Sequence, residues 1–447
     1  MSFTTWFSGV IFWIFLLGFV IPTHGYNLYE RVGIASSPNP VGSGARAIGM
    51  GGAFIGIADD ATAASWNPAG LIQLENPELS FVGAYFNRTE DFSSTMSPEI
   101  ANTSTVDDAS LNYLSASLPF NFLKRNMVVS VNYQRLYEFK RDYEYHLVQS
   151  SPLETSSEDR HYDQDGYLGA LGIAYTVEIT PRLSLGGTLN IWTDDLFWKN
   201  GWKENFTGHS ETTSGASHVL EDTEIKDAYK DFSGVNANIG ILWNAFRNFT
   251  VGAVLKTPFT ATVENEYSEN WVQTDATTGT VIDSASINDS EDLEIDMPMS
   301  YGLGLAWRIS DQFSLDLDVY RTEWSNYIVT DSDGNKTSGI GGQAETDSSV
   351  DDTTQVRFGG EYLIIKPDQA MVIPLRAGLF YDPEPTYDGS KDFYGLSLGS
   401  GIGYKRIVLD LAYQLRWGRD VETDSLIANS TADITQHTIL LSMIYHF

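Results

Sequence analysis

The chain has 447 residues, with 59 acidic against 27 basic side chains, a formal net charge of −32 and no cysteine. The acidic excess argues against a nucleic-acid partner, because phosphate binding needs a basic surface. The absence of cysteine excludes disulfides, thiolate metal sites, a cysteine nucleophile and N-terminal lipoprotein acylation. The acidic residues are dispersed through several stretches, which favours acidic loops on one side of a membrane over an acidic tail.

Residues 1–25 have the pattern of a cleaved secretory signal peptide. An apolar run from Trp6 to Ile21 precedes small residues at Thr23 and Gly25, and it is shorter than the roughly 20 apolar residues of a transmembrane anchor. No Lys or Arg precedes the run, which departs from the usual signal. No later run approaches the length of a membrane-spanning helix, so we expect export from the cytoplasm without a helical membrane domain.

Residues 26–76 form a segment of small residues. Its centre, residues 42–70, is dense in Gly and Ala, and such residues allow close backbone approach in a confined space. Asn67 is a good N-cap and Pro68 suits the first helical position, so a short helix is expected to start there. A glycine-rich linker has the same composition, and this stretch alone does not separate the two interpretations.

From residue 77 to the end, short stretches of alternating apolar and polar residues repeat, separated by polar turns. In Phe313–Tyr320 the apolar residues take the odd positions, and Ile407–Trp417 has one apolar face. Such alternation is typical of β-strands with two different faces. We predict fourteen strands, near residues 77–87, 111–119, 126–138, 166–178, 182–194, 232–243, 248–259, 298–308, 312–325, 354–364, 371–381, 392–403, 406–417 and 434–447.

The connections between the predicted strands alternate in length. Short turns follow the even-numbered strands, and longer segments follow the odd-numbered ones: 88–110, 139–165, 195–231, 260–297, 326–353, 382–391 and 418–433. This alternation is typical of an outer-membrane barrel. In a soluble β-sandwich with a halophilic surface, we would not expect short turns at one end of the strands and long loops at the other. We therefore predict an all-β fold, a transmembrane antiparallel β-barrel of 14 strands at 77–447, with residues 26–76 as a hatch (plug) in its lumen.

A membrane barrel needs an apolar outer face, so charged residues on the opposite parity should face the lumen. An open water-filled channel would tolerate them, and a hatch could pair with them. The residues predicted to lie inside are Asp316, Asp318, Arg357, Glu361, Arg376, Asp410 and Arg416.

The segment from Gly44 to Leu71, the fourteen strand patterns and the C-terminal Phe447 together resemble the FadL/TodX outer-membrane transport proteins. The resemblance implies passive uptake of long-chain fatty acids or of aromatic or aliphatic hydrocarbons across the bacterial outer membrane. It also implies an outer ligand groove between the third and fourth external loops, a lumen site above the hatch, and a lateral exit at a kink in the third strand. It assigns the hatch or gate to Arg46, Asn67, Pro68, Ala69 and Gly70.

The third predicted loop, 195–231, begins with a group of aromatic residues that should face water. Exposed aromatic residues suggest an apolar landing site for a ligand, although they could also pack the loop on itself or lie in the headgroup region. The expected outer groove consists of Phe197, Trp198, Trp202 and Phe206. Arg46 could meet a ligand carboxylate or form a salt bridge with an inward acid. The third strand has no Gly or Pro that would force a kink.

Other functions have less support in the sequence. The same hatch motif occurs in PorV-like barrel subunits of a protein-secretion system, which bind partner proteins, and this alternative stays open. No G-x-S-x-G elbow is present in a strand–turn–helix setting, and Asp331–Asn335 opens like a calcium loop without the required later Gly and Glu. We therefore expect no enzyme, no cofactor and no metal, and a monomer that contacts outer-membrane lipid, lipopolysaccharide and a hydrophobic small-molecule ligand.

Overall fold

The computed structural model describes residues 42–196, 198–386, 388–422 and 430–447. The predicted signal peptide, residues 26–41 of the predicted hatch and Phe197 lie outside these residues. The described chain begins with helices α1 (Ala45–Gly49) and α2 (Ala63–Trp66) and a 3₁₀ helix (Pro68–Gln73). No helix in these ranges is long and apolar enough to cross a membrane.

Strands make up most of the remaining described chain. They are β1 Glu78–Ser94, β2 Asn102–Phe122, β3 Arg125–Ser150, β4 Glu154–Thr180, β5 Leu183–Trp192, β6 Gly201–Ser214, β7 Ser217–Phe246, β8 Phe249–Lys256, β9 Phe259–Asp275, β10 Thr280–Met297, β11 Ser300–Arg308, β12 Phe313–Thr322, β13 Ile328–Thr330, β14 Lys336–Ser338, β15 Ser349–Val350, β16 Thr353–Lys366, β17 Met371–Tyr381, β18 Glu384–Thr386, β19 Asp388–Lys391, β20 Phe393–Tyr404, β21 Ile407–Glu422 and β22 Ser430–His446. Short 3₁₀ helices lie at Pro98–Ile100, Trp324–Asn326, Glu345–Asp347 and Pro367–Gln369.

Fourteen of these strands close into one antiparallel barrel, as the sequence predicts. The order around the barrel is β1, β2, β3, β4, β5, β7, β8, β11, β12, β16, β17, β20, β21 and β22, and β22 pairs with β1 to close it. The closure uses the full length of β1, from Glu78 opposite His446 to Ser94 opposite Ser430.

The two faces of the barrel have opposite chemistry. On β12, Leu317 and Val319 are exposed while Asp316 and Asp318 are buried, and β21 repeats the arrangement with an exposed Leu411 next to a buried Asp410. Because the exposed face is apolar and the enclosed face is polar, the sheet is inverted relative to a soluble protein. This is the arrangement that a bilayer requires.

Several predicted external loops are strands instead. Residues 139–165 continue β3 and β4 as one hairpin, residues 195–231 contain β6 and part of β7, and residues 260–297 are the β9–β10 hairpin. The prediction of loops was wrong here, because it used the apolar face to recognise strands. Outside the membrane the outer face of a strand meets water, so the hydrogen-bonded ladder continues without the apolar outer face of the membrane-spanning strands.

The third strand, β3, is irregular although it has no Gly or Pro. Its pairing with β2 ends at Tyr113–Gln134, and its pairing with β4 shifts register between Arg135 and Tyr137. Beyond that point side chains of β2 bind the backbone of β3: Asn112 Nδ2 donates to the Arg135 carbonyl at 3.3 Å. The irregularity of β3 is therefore a register shift, a feature that needs neither Gly nor Pro.

Candidate functional site

The N-terminal segment, residues 42–76, is attached to three strands that are spread around the closed barrel. On β4 the Thr176 hydroxyl donates to the Pro68 carbonyl at 2.6 Å. On β22 the Ser442 hydroxyl accepts from the Ala45 N–H at 2.7 Å. On β12 one carboxylate oxygen of Asp318 accepts from the N–H groups of both Phe54 and Ile55, at 2.6 and 2.8 Å. The segment is therefore fixed to β4, β12 and β22 by hydrogen bonds from its backbone.

The Asn67–Pro68 step folds as the sequence predicts. Pro68 is the first residue of the 3₁₀ helix, and the Asn67 side chain accepts a hydrogen bond from the Ala69 N–H at 3.2 Å. The Asn67 amide also donates to the carbonyls of Ile55 and Ile241, both at 3.0 Å. Asn67 therefore caps the helix and joins it to both the segment and strand β7. The predicted hatch residues Ala69 and Gly70 are buried beside it.

Glycines of the barrel wall allow this close attachment, and the sequence analysis missed them. A Cβ atom added at any of these positions would lie within 2.5 Å of an atom of the N-terminal segment: Gly186, Gly240, Gly252, Gly304, Gly359 and Gly378. Several of them face each other on neighbouring strands, as Gly359 and Gly378 do. The sequence pattern that could have predicted this contact is the repeated occurrence of glycine at lumen-facing positions. The wall of an open channel would carry polar side chains there.

Gly186 provides a test of this contact. We expect Gly186→Val to lower the free energy of unfolding by about 1–3 kcal/mol, as overpacking does, because the new side chain would overlap Pro68 and Ala69. The neighbouring Gly187→Val is the matched control, since a Cβ there meets nothing closer than 3.7 Å. Urea unfolding in lipid vesicles measures both, and equal effects of the two variants would contradict the contact.

All seven charged residues predicted to face the lumen are buried. Three of them form a chain of ion pairs: Arg376 lies 2.6 Å from Glu361 and 2.6 Å from Asp410. Arg46 of α1 joins this chain through Glu361 at 2.9 Å and also pairs with Asp59. Of the two roles considered for Arg46, the structure contains the salt bridge with an inward acid.

Of the other charged residues, Arg357 contacts the same segment and Arg416 forms ion pairs with acids that follow β17. The Arg357 guanidinium donates to the Gly51 carbonyl at 3.0 Å, and Arg416 pairs with Asp382 and Glu384 at 2.8 and 2.6 Å. Both carboxylate oxygens of Asp316 are buried without a hydrogen-bond partner among the described residues. Most of these charges therefore compensate one another within the barrel. No described His, Asp or Glu residues form a group of three or more that could hold a metal ion.

A cluster of buried aromatic residues, here called the aromatic core, lies next to the N-terminal segment on the extracellular side. Strand β5 connects the two: Thr188 binds the Ala64 carbonyl at 2.9 Å, and Trp192 at the end of the strand belongs to the aromatic core. Its principal members are Phe139, Tyr143, Tyr162, Trp192, Trp202, Phe206, Tyr229, Phe232, Trp324 and Tyr327.

Three of the aromatic residues predicted to be exposed in an outer loop, Trp198, Trp202 and Phe206, are instead buried. Trp202 is stacked between Phe139 and Tyr229, with ring centroids 4.5 Å apart on each side. Phe206 belongs to the same core, and Trp198 packs against Tyr133 with a centroid distance of 4.7 Å. The prediction of exposure was wrong because residues 201–214 form strand β6, which places alternate side chains on one face, and that face is turned inward.

Two cavities lie near these residues. A small one of about 40 Å³ is bordered by Trp192, Lys256, Phe259 and Trp324, and the Lys256 ammonium lies 5.6 Å from the centre of the Tyr320 ring. A larger cavity of about 880 Å³ lies against the extracellular strands and is bordered by charged pairs such as His146–Asp159 at 2.7 Å. Of the two, the small cavity is the one bordered by residues of the aromatic core, and Lys256 is a lining residue that sequence reasoning missed.

Glu204 of β6 introduces a pH-dependent group into the aromatic core, outside the membrane-spanning part of the barrel. Burial raises its pKa to about 7, although the Tyr162 hydroxyl and the Gln164 amide donate to it at 2.7 and 2.9 Å. The folded protein therefore keeps this proton at pH values where an unfolded chain, with a pKa of 4.5, has released it. Its contribution to stability is fully present below about pH 4.5 and is lost as the pH rises through 7.

We therefore expect Glu204→Gln to remove a measurable part of the loss of stability between pH 5 and pH 8, because an amide does not ionise. Urea midpoints at the two pH values measure the effect. Glu345→Gln, at an exposed position, should keep the wild-type pH dependence. A Glu204→Gln variant that loses as much stability as the wild type would exclude Glu204 as a source.

The sequence profile of the outer membrane transport proteins described as OMPP1/FadL/TodX matches residues 41–443. The chain belongs to this family. As a FadL/TodX family member it is an outer-membrane transport protein and not an enzyme. No curated protein sequence matches the chain.

Solved structures of FadL/TodX proteins share the fold at low sequence identity. A Pseudomonas aeruginosa FadL homologue is 14% identical, with 91% of this chain and 98% of that chain covered and a TM-score of 0.61. The Pseudomonas putida toluene transporter TodX is 14% identical, with coverage of 92% and 100% and a TM-score of 0.54. The Ralstonia pickettii toluene transporter TbuX is 13% identical, with coverage of 92% and 99% and a TM-score of 0.50. At these low identities, the similarity to the solved structures establishes a shared fold only.

Proposed function

We propose that the protein takes up hydrophobic small molecules, either long-chain fatty acids or aromatic or aliphatic hydrocarbons, by passive transport. The aromatic core next to the N-terminal segment is the observation that carries this proposal. Apolar ligands bind in concave sites lined by aromatic residues with a few polar groups, and Lys256 and the asparagines beside the small cavity supply such groups. In this proposal Trp202 and Phe206 bind ligand from inside the barrel.

The N-terminal segment acts as the hatch. Its hydrogen bonds to β4, β12 and β22 support a closed state, and transport needs a second state in which some of these bonds are broken. Ligand binding favours the open state only if the ligand binds that state more tightly. The hatch opens when the contacts made by Arg46, Asn67 and Pro68 break.

A lateral exit between β2 and β3 completes the proposed route. It is supported by the end of backbone pairing at Tyr113–Gln134 and by the register shift that follows in β3. The exposed Leu114 and Val131 lie beside this point, so a ligand leaving there would enter the apolar part of the membrane. The protein acts as a monomer whose exposed apolar band contacts lipid, with lipopolysaccharide around it.

Uptake by whole cells tests the proposal. Cells that lack their own transporter would express this protein or carry an empty vector, and would receive a labelled long-chain fatty acid or labelled toluene. We expect saturable uptake of at least one ligand above the vector, reduced several-fold by Trp192→Ala in the aromatic core. Trp243→Ala, at an exposed position of the barrel, is the matched control. Absence of saturable uptake of both ligands by correctly inserted protein would reject the proposal.

A further inference from the structure

Strand β10 has a long edge on the extracellular side of the barrel. It pairs with β9 along its whole length and with β13 only from Glu294 to Asp296. Of the described residues, only those of β9 form backbone pairs with β10 between Thr280 and Leu293. Ser332 contacts the edge at Glu291, where its N–H donates at 3.2 Å. The free edge is therefore Thr280–Ser290, which spans about 36 Å at the usual rise per residue.

This edge is long and carries neither Lys nor Pro, which often protect natural edge strands. Its protecting features are a register shift between Val281 and Asp283 and the acidic side chains of Asp283 and Asp289. All its residues except Ala285 are exposed, including the aliphatic Val281, Ile282 and Ile287. A strand with unpaired backbone groups and exposed aliphatic side chains is a template for another extended segment.

The negative charge of the β9–β10 hairpin determines which kind of segment can bind to this edge. Residues 259–297 contain ten Asp or Glu and no Lys or Arg. Among the described residues, no ion pair involves an acid of β10. Asp283, Ile287 and Asp289 share one face of the strand by their spacing. Two copies of this edge would bring like charges together, which disfavours a homodimer.

We propose that the Thr280–Ser290 edge of β10 docks an extended, Lys- or Arg-rich segment of a separate protein. The segment adds as one more strand to the extracellular wall, its backbone pairing with β10 and its basic side chains facing Asp283 and Asp289. This surface is separate from the aromatic core, because none of residues 280–290 belongs to that core, so its occupation does not depend on the proposed uptake.

The probe is a synthetic ten-residue peptide of alternating Lys and Thr, added to the full-length protein in detergent. We expect binding by fluorescence anisotropy and slower hydrogen exchange at residues 280–290. The same peptide N-methylated at alternate residues keeps its charge but lacks half of its N–H donors, and it should bind at least tenfold more weakly. An alternating Glu and Thr peptide should not bind.

Variants locate the site. Asp283→Asn with Asp289→Asn should weaken binding at least tenfold, whereas Asp222→Asn with Glu224→Gln, which removes two charges elsewhere on the extracellular wall, should leave binding unchanged. Equal binding of the N-methylated peptide, exchange protection confined to other residues, or equal losses in the two double variants would overturn the proposal. Dimerisation of the protein through this edge in sedimentation experiments would also overturn it.

Discussion

Uptake should fall at least tenfold when the N-terminal segment is tied to the barrel by a disulfide. The double variant Ala45→Cys with Ser442→Cys is suited to this test, because the Ala45 N–H already lies 2.7 Å from the Ser442 hydroxyl and the chain has no other cysteine. A disulfide needs Cβ atoms about 4 Å apart. Transport would be measured in cells under oxidising conditions and again after reduction, which should restore it.

The matched control is a disulfide within the wall. Ser93 and Thr431 lie opposite each other on β1 and β22, with hydroxyl oxygens 3.3 Å apart, and neither contacts the N-terminal segment. Ser93→Cys with Thr431→Cys should leave uptake unchanged after oxidation. If the oxidised Ala45–Ser442 pair transports as fast as the wild type, α1 does not move during transport and the proposed hatch must open elsewhere.

Arg376→Met should be the most destabilising single substitution in the lumen. Arg376 holds both Glu361 and Asp410 at 2.6 Å, and all three side chains are buried. Its removal leaves Asp410 without this partner inside the barrel, and breaking a buried ion pair in this way costs about 3–5 kcal/mol. Urea unfolding in lipid vesicles at neutral pH measures the change.

Arg419 provides the comparison for this prediction. It also lies 2.6 Å from an aspartate, Asp433, but the two side chains are 61% and 40% exposed. Solvent screens such a pair, so Arg419→Met should change the free energy of unfolding by no more than about 1 kcal/mol. Similar losses for Arg376→Met and Arg419→Met would mean that water reaches the Arg376 site.

The barrel was predictable because a strand has a period of two residues. Alternation alone located all fourteen barrel strands, and the same parity placed charged residues such as Asp318 and Arg357 on the enclosed side. The helix start at Asn67–Pro68 also followed from local chemistry, since an Asn cap and a proline at the first position act within a few residues.

Features that depend on pairing between distant strands were not predictable. Trp202 and Phe206 looked like loop residues until β6 was seen to pair with β4 and β7. The irregularity of β3 is a register shift and carries no Gly or Pro signal. The glycines facing the N-terminal segment are meaningful only once the segment is known to lie against them, because glycine in a strand also occurs at bulges and at tight bends.

The closure of β1 on β22 has a consequence for biogenesis. The N-terminal segment is synthesised before every strand, but α1 binds β22 through Ser442, near the end of the chain. Residues 42–76 therefore reach their final position only after the last strand has joined the wall. A nascent or truncated chain without β22 has an open wall and lacks the site that binds α1, so complete docking of α1 reports that the whole polypeptide has been inserted.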